Sequence, residues 1–133
     1  MQGTLNQKVG TIFGAVYLLI GLLGFVVTGF DGFASQEGNL LIAFEVNPLH
    51  NLVHLAIGAA LVGAARAGHD SARTMNTVVG ATYLLVGIVG FFMLDSDANI
   101  LALNQADNFL HLASAAVLLA VGLRKEEPVA ARR

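Results

Sequence analysis

The sequence predicts an all-α integral membrane protein: a four-helix bundle of transmembrane helices made from two repeated hairpins. Three observations carry this prediction. Charged residues make up 12% of the 133-residue chain, about half the roughly 25% of a soluble domain. Hydrophobic residues reach 56% and the mean hydropathy is +0.71, so the charge needed to cover a water-facing surface is missing. The second half of the chain also restates motifs of the first.

The first span is expected over about 9–30. Val9–Phe30 runs 22 residues without a charge, and about 20 suffice to cross a hydrocarbon core of about 30 Å. Lys8 ahead of it and small residues at Gly32, Ala34 and Ser35 behind it resemble a signal peptide. However, the usual apolar region of such a peptide is only about 7–15 residues, and cleavage would remove a quarter of the repeat. The second span is expected over about 48–66, with Pro48 at a first helical position where its missing N–H costs nothing. The third is expected over about 75–94, because Met75–Leu94 is again free of charge. The fourth, about 106–124, is the shortest in apolar residues and reaches spanning length with Asp107 and Asn108 at the interface. All four belong to one domain over 1–133, with repeat one about 9–67 and repeat two about 75–124.

The repeat is explicit in the letters. Phe13-Gly-Ala-Val-Tyr-Leu-Leu-Ile-Gly-Leu-Leu-Gly-Phe25 lies over Val79-Gly-Ala-Thr-Tyr-Leu-Leu-Val-Gly-Ile-Val-Gly-Phe91, with eight of thirteen positions identical. Asn47-x-x-x-Asn51-x-x-His54-Leu55 lies over Asn104-x-x-x-Asn108-x-x-His111-Leu112. Two hairpins entering the bilayer in the same sense imply a pseudo-twofold axis along the membrane normal.

Orientation follows the distribution of basic residues. Lys8, Arg66, Arg73, Arg124, Lys125, Arg132 and Arg133 all fall at the ends of the chain or between spans two and three. Loops 31–47 and 95–107 hold six acids and no base. Both termini are therefore expected in the cytoplasm of a bacterial cell, with the protein multi-pass in the inner (plasma) membrane.

Composition also excludes functions. A net charge of −2 and no basic patch argue against nucleic-acid binding. With no cysteine there is no disulfide, thiolate zinc site, iron–sulfur cluster or c-type haem. Walker loop, dinucleotide fingerprint and nucleophile elbow are missing from the sequence, and the reading leans away from an enzyme.

Two groups of residues call for an explanation. On the first and third spans, Gly14, Tyr17, Gly21 and Gly24, and likewise Gly80, Tyr83, Gly87 and Gly90, share an arc of roughly 100°. Small residues let helix backbones approach closely in lipid, so these read first as packing faces; the alternative is a ligand cleft containing two tyrosine hydroxyls. On the second and fourth spans, His50 and His54 share a helix face, as do Asp107 and His111. His54 aligns with His111 and His50 with Asp107, about 9 Å inside the outer helix ends for the first pair. Asn47, Asn51, Asn104 and Asn108 give polar support.

Three readings of this cluster stand side by side. In the first, the histidines are only interhelical hydrogen-bonding residues, with His50 pairing to Asp107 and no cofactor at all. In the second, His50, His54, His111 and Asp107 bind a divalent metal or, through His54 and His111, a b-type haem. The third is a transporter or proton path, because ionisable groups inside a membrane point to function by default. The zinc-protease pattern fails, since no Glu follows His50. His69 is expected to be solvated in a short inner loop, and Leu40–Phe44 and Ile100–Leu103 to lie along the outer interface as lids. The phenylalanines other than Phe13 gather toward the outer side. The tail Arg124-Lys125-Glu126-Glu127, with Arg132 and Arg133, is expected to cap the fourth helix.

The segment Asn47-Pro48-Leu49-His50-Asn51-Leu52-Val53-His54-Leu55, with the Gly-Ala-x-Tyr-Leu-Leu-x-Gly-x-x-Gly-Phe spans, resembles a family of small bacterial four-helix membrane proteins, frequent in actinobacteria and classed as a domain of unknown function. The resemblance implies a four-span bundle in a bacterial inner membrane and lends no activity, substrate or cofactor. A structural or accessory role is the first functional expectation, as a homo-oligomer or within a larger membrane complex. Haem or metal binding comes second.

Overall fold

The computed structural model describes residues 3–125, so Glu126, Glu127, Arg132 and Arg133 of the expected capping tail lie outside the described residues. The elements run α1 (Leu5–Thr28), β1 (Asn39–Leu41), β2 (Phe44–Val46), α2 (Pro48–Ala67), α3 (His69–Met93) and α4 (Gln105–Gly122). Among the described residues, α1, α2 and α3 are long and apolar enough to cross a membrane. α4 does not reach the same apolar level, because Gln105, Asp107, Asn108 and His111 fill its first two turns.

α1, α2 and α4 start where a side chain replaces the missing backbone partner, whereas α3 follows Gly68 without a side-chain cap. Thr4 Oγ1 accepts from Gln7 N at 3.3 Å while Gln7 Oε1 accepts from Thr4 N at 3.1 Å, a capping box on α1. Asn47 Oδ1 accepts from His50 N at 2.8 Å on α2, with Pro48 in the first turn. Asn104 Oδ1 accepts from Asp107 N at 2.9 Å on α4, and Asp107 Oδ2 accepts from Asn104 N at 3.0 Å.

Two sequence expectations are corrected at the terminal end. α3 begins at His69, so the inner loop shrinks to Gly68, whose φ of 141° is a left-handed conformation that glycine tolerates. His69 is therefore not solvated: its side chain is 11% exposed and Nδ1 lies 3.2 Å from Thr4 Oγ1. At the other end lies the apolar run 40–44. It forms an antiparallel hairpin, with Leu41 opposite Phe44 and Ile42 at φ 64° in the turn.

The helices pack as two hairpins, α1 on α2 and α3 on α4. Backbones touch where glycines meet: a Cβ built on Gly58 would stand 2.7 Å from Gly14 O, and one on Gly14 would stand 2.8 Å from Gly58 O. On the other hairpin, Gly87 faces Leu112 and Gly80 faces Leu119. The shared core consists of Tyr17, Leu61, Val79, Tyr83, Ala115 and Leu118. Outward faces carry apolar residues such as Leu22, Val26, Leu85 and Phe92 in the open. That arrangement suits lipid contact and would be an aggregation hazard in water.

Candidate functional site

The chain's own chemistry concentrates at the end of the bundle that carries the long loops. His50 and His54 leave α2 one turn apart, and His111 faces them from α4. They are 2%, 5% and 3% exposed. The His50 and His54 rings are 4.4 Å apart between centroids, and His50 and His111 6.0 Å. One potential ligand atom from each of the three lies within 4.8 Å of the other two.

Tyrosines of α1 and α3 close the arrangement. Tyr17 stacks on His54 at 5.6 Å with an interplanar angle of 14°, and Tyr83 stacks on His111 at 4.9 Å and 23°. Tyr17 and Tyr83 meet each other at 5.3 Å. The small faces of α1 and α3 are therefore buried as packing surfaces, with Gly14, Gly21, Gly24, Gly80, Gly87 and Gly90 all inside. The same faces hold both tyrosine rings against the histidines.

Asp107 does not join them. It is 1% exposed, but its Oδ2 accepts from Asn104 N at 3.0 Å and from Glu45 N at 3.1 Å. It caps α4 and ties β2 to that helix. Glu45 in turn accepts at Oε1 from Gly38 N at 2.7 Å. The asparagines have separate tasks. Asn47 Nδ2 donates to Ser35 O and to Ile100 O, both at 2.8 Å, joining the two loops. Asn104 Nδ2 donates to Ala43 O at 3.0 Å, and Asn51 Nδ2 donates to Thr28 Oγ1 at 2.9 Å. Asn51 also abuts Gly24, as Asn108 abuts Gly90; a Cβ at either glycine would collide with the asparagine amide.

Each histidine leaves one ring nitrogen outside such bonds. Nδ1 of His50, His54 and His111 is buried without a hydrogen bond, and so are the hydroxyls of Tyr17 and Tyr83. Where water is excluded, an unsatisfied polar group costs several kcal/mol.

Between the rings lies a cavity of about 40 Å³ lined by His50, His54, His111, Tyr83, Thr82 and Leu101. A water needs at least about 10–15 Å³ on this measure. The cavity therefore has room for an ion and a water or two. An apolar recess of about 510 Å³ shares the walls Val53, Val86 and Leu101 with it and is otherwise lined by residues such as Leu49, Val89 and Met93.

Sequence reasoning missed a second polar group, at the opposite end. Asn76 Nδ2 donates to Asn6 O and to Asn6 Oδ1, both at 3.0 Å, and Asn6 Nδ2 donates to Val121 O at 3.2 Å. This latch joins α1, α3 and α4. Its signal was an asparagine pair bordering apolar spans, one residue in each half.

Compared with known proteins, residues 7–124 match the family described as Domain of unknown function (DUF4383). No curated protein and no solved structure matches the chain.

Proposed function

The chain belongs to this family, whose description assigns no activity, and we propose that it is a multi-pass membrane protein that binds a transition-metal ion at His50, His54 and His111. The observation that carries the reading is the triad itself: three buried imidazoles with ligand atoms within 4.8 Å of one another and each with an unpartnered Nδ1. An ion equidistant from three atoms 4.8 Å apart would stand about 2.8 Å from each. Metal–imidazole bonds of about 2.0–2.1 Å need each ring to move by less than about 1 Å. Neutral imidazole is the commonest protein ligand for such ions.

On this reading α4 is the fourth span, and the hairpins α1–α2 and α3–α4 are related by a pseudo-twofold axis along the membrane normal. The matched contacts of Gly24 with Asn51 and of Gly90 with Asn108 support that relation. The distribution of basic residues supports cytoplasmic termini in a bacterial inner membrane, with the triad toward the outer face. A purely structural role leaves the three buried Nδ1 atoms without a partner, and metal binding supplies one.

The test is elemental analysis of protein purified in mild detergent without chelator, then exposed to zinc, nickel, cupric and ascorbate-reduced cuprous salts and desalted. The expected result is close to one equivalent of metal, lost in His54→Leu and in His111→Leu while both variants still insert and migrate like the parent. A parent protein that retains no metal after loading refutes the proposal.

A further inference from the structure

We infer that the triad selects monovalent copper over divalent ions. This rests on the reading of His50, His54 and His111 as a metal site and adds which ion it takes. The argument is one of charge. The three ligands are imidazoles, which bring no negative charge when they coordinate. The two carboxylates on elements packed around them are both engaged: Asp107 holds Asn104 N and Glu45 N, and Glu45 Oε1 holds Gly38 N at 2.7 Å. Among the described residues, the metal-competent group at this end is the three histidines, without an acid.

An ion entering this cavity thus keeps its full charge in a place walled by Leu101, Val53, Val86 and aromatic rings. The desolvation penalty grows with the square of the charge, so a divalent ion suffers about four times the penalty of a monovalent one. Zinc and cupric ions would need an anion to offset this. The groups at hand are a water of the cavity and the buried hydroxyls of Tyr17 and Tyr83, and one would have to ionise in an apolar setting. Cuprous copper needs none, because it accepts two or three imidazole nitrogens and carries a single charge. The small cavity of about 40 Å³ favours the same ion, since a low-coordinate ion brings few waters with it.

The experiment is a chelator competition on the full-length protein in mild detergent. Cuprous copper is held reduced by ascorbate and offered against bicinchoninate; zinc is offered separately against a chromophoric zinc chelator. We expect close to one equivalent of copper withdrawn from bicinchoninate by the parent, loss of that equivalent in His54→Asn and in His111→Asn, and no zinc withdrawn. Copper K-edge absorption of the loaded parent, which needs no variant, should show two or three nitrogen neighbours and no thioether. Stoichiometric zinc binding without copper binding overturns this inference and leaves the metal site standing. Binding of neither ion overturns both. A cupric signal that ascorbate cannot remove, or a tyrosinate absorption band in the loaded protein, shows that the site uses an anion and overturns the selectivity argument. Copper retained by a triple His50, His54 and His111→Asn variant places the ion elsewhere and overturns the assignment.

Discussion

The closest helix contact gives the most quantitative prediction. Gly58→Ala places a methyl group 2.7 Å from Gly14 O and 2.8 Å from Leu18 N. An ordinary carbon–oxygen contact between helices is about 3.3–3.6 Å, so α1 and α2 must part by about 0.6–0.9 Å, and both atoms are backbone that cannot swing aside. Overpacking of this kind costs about 1–3 kcal/mol. The gap opened elsewhere along the seam also forfeits a quarter to a half of each local dispersion well. Against this, alanine gains about 0.8–1.0 kcal/mol of helix propensity over glycine. The steric term outweighs the gain, and the net destabilisation should be about 0–2 kcal/mol. Gly63→Ala is the internal control, because a Cβ there meets nothing within 4 Å, leaving only the propensity gain. The propensity gain cancels between them, so the two variants should differ by the steric term, about 1–3 kcal/mol. Unfolding by sodium dodecyl sulfate in mixed micelles, followed by circular dichroism, measures the difference. Stabilities within about 0.5 kcal/mol of each other, or Gly63→Ala as the weaker protein, would refute the close-approach reasoning.

Three further outcomes follow from other contacts. Asn76→Leu removes both bonds to Asn6 and should cost about 1–3 kcal/mol in the same titration, with metal content unchanged. Asp107→Asn removes a carboxylate that accepts from Asn104 N and Glu45 N. It should cost about 1–2 kcal/mol and speed proteolysis in the 39–46 hairpin while leaving the metal in place; loss of metal would instead return Asp107 to the ligand set. The chain has no cysteine, so Asp31→Cys and Lys125→Cys can be labelled singly with a membrane-impermeant maleimide. Labelling at position 31 in intact cells, and at 125 only after permeabilisation, is the expected pattern; the reverse refutes the orientation.

The helices and the histidine cluster were legible because both rest on periodicity. Apolar runs of spanning length can hardly be anything but helices in lipid, and four-residue spacing places His50 beneath His54 whatever the tertiary fold. The repeat then indicated that His111 belongs with them. What escaped was set by short polar contacts whose partners lie far apart in sequence. Asp107 aligned with His50 and read as its partner. Its position three residues after Asn104 instead makes it the reciprocal half of a helix cap, and local geometry outcompeted the cross-bundle pairing. The β-hairpin was hidden because five apolar residues between loops carry too little periodicity to separate strand from interfacial helix. The early start of α3 was hidden because His69, Asp70 and Arg73 looked like loop composition, although each can sit in a first helical turn.

The buried polar residues divide by whether the fold uses them. Asn47, Asn76, Asn99 and Asn104 spend their amides on backbone carbonyls or on one another, and their bonds hold loops and helices that would otherwise be free. The amides of Asn51 and Asn108 press against Gly24 and Gly90 and fix how closely the helices of each hairpin approach. The histidines do neither. The His54 and His111 rings are stacked on tyrosines and His50 packs against both, so each imidazole is fixed in orientation by ring contacts that leave its Nδ1 unused. A core shaped only for packing would do better with leucine at these positions, since lipid-excluded imidazole without a partner is destabilising. A ring held by its faces with a vacant nitrogen at its edge is instead what coordination requires: the orientation is set before the ion arrives, and binding restores the partner whose loss burial imposed.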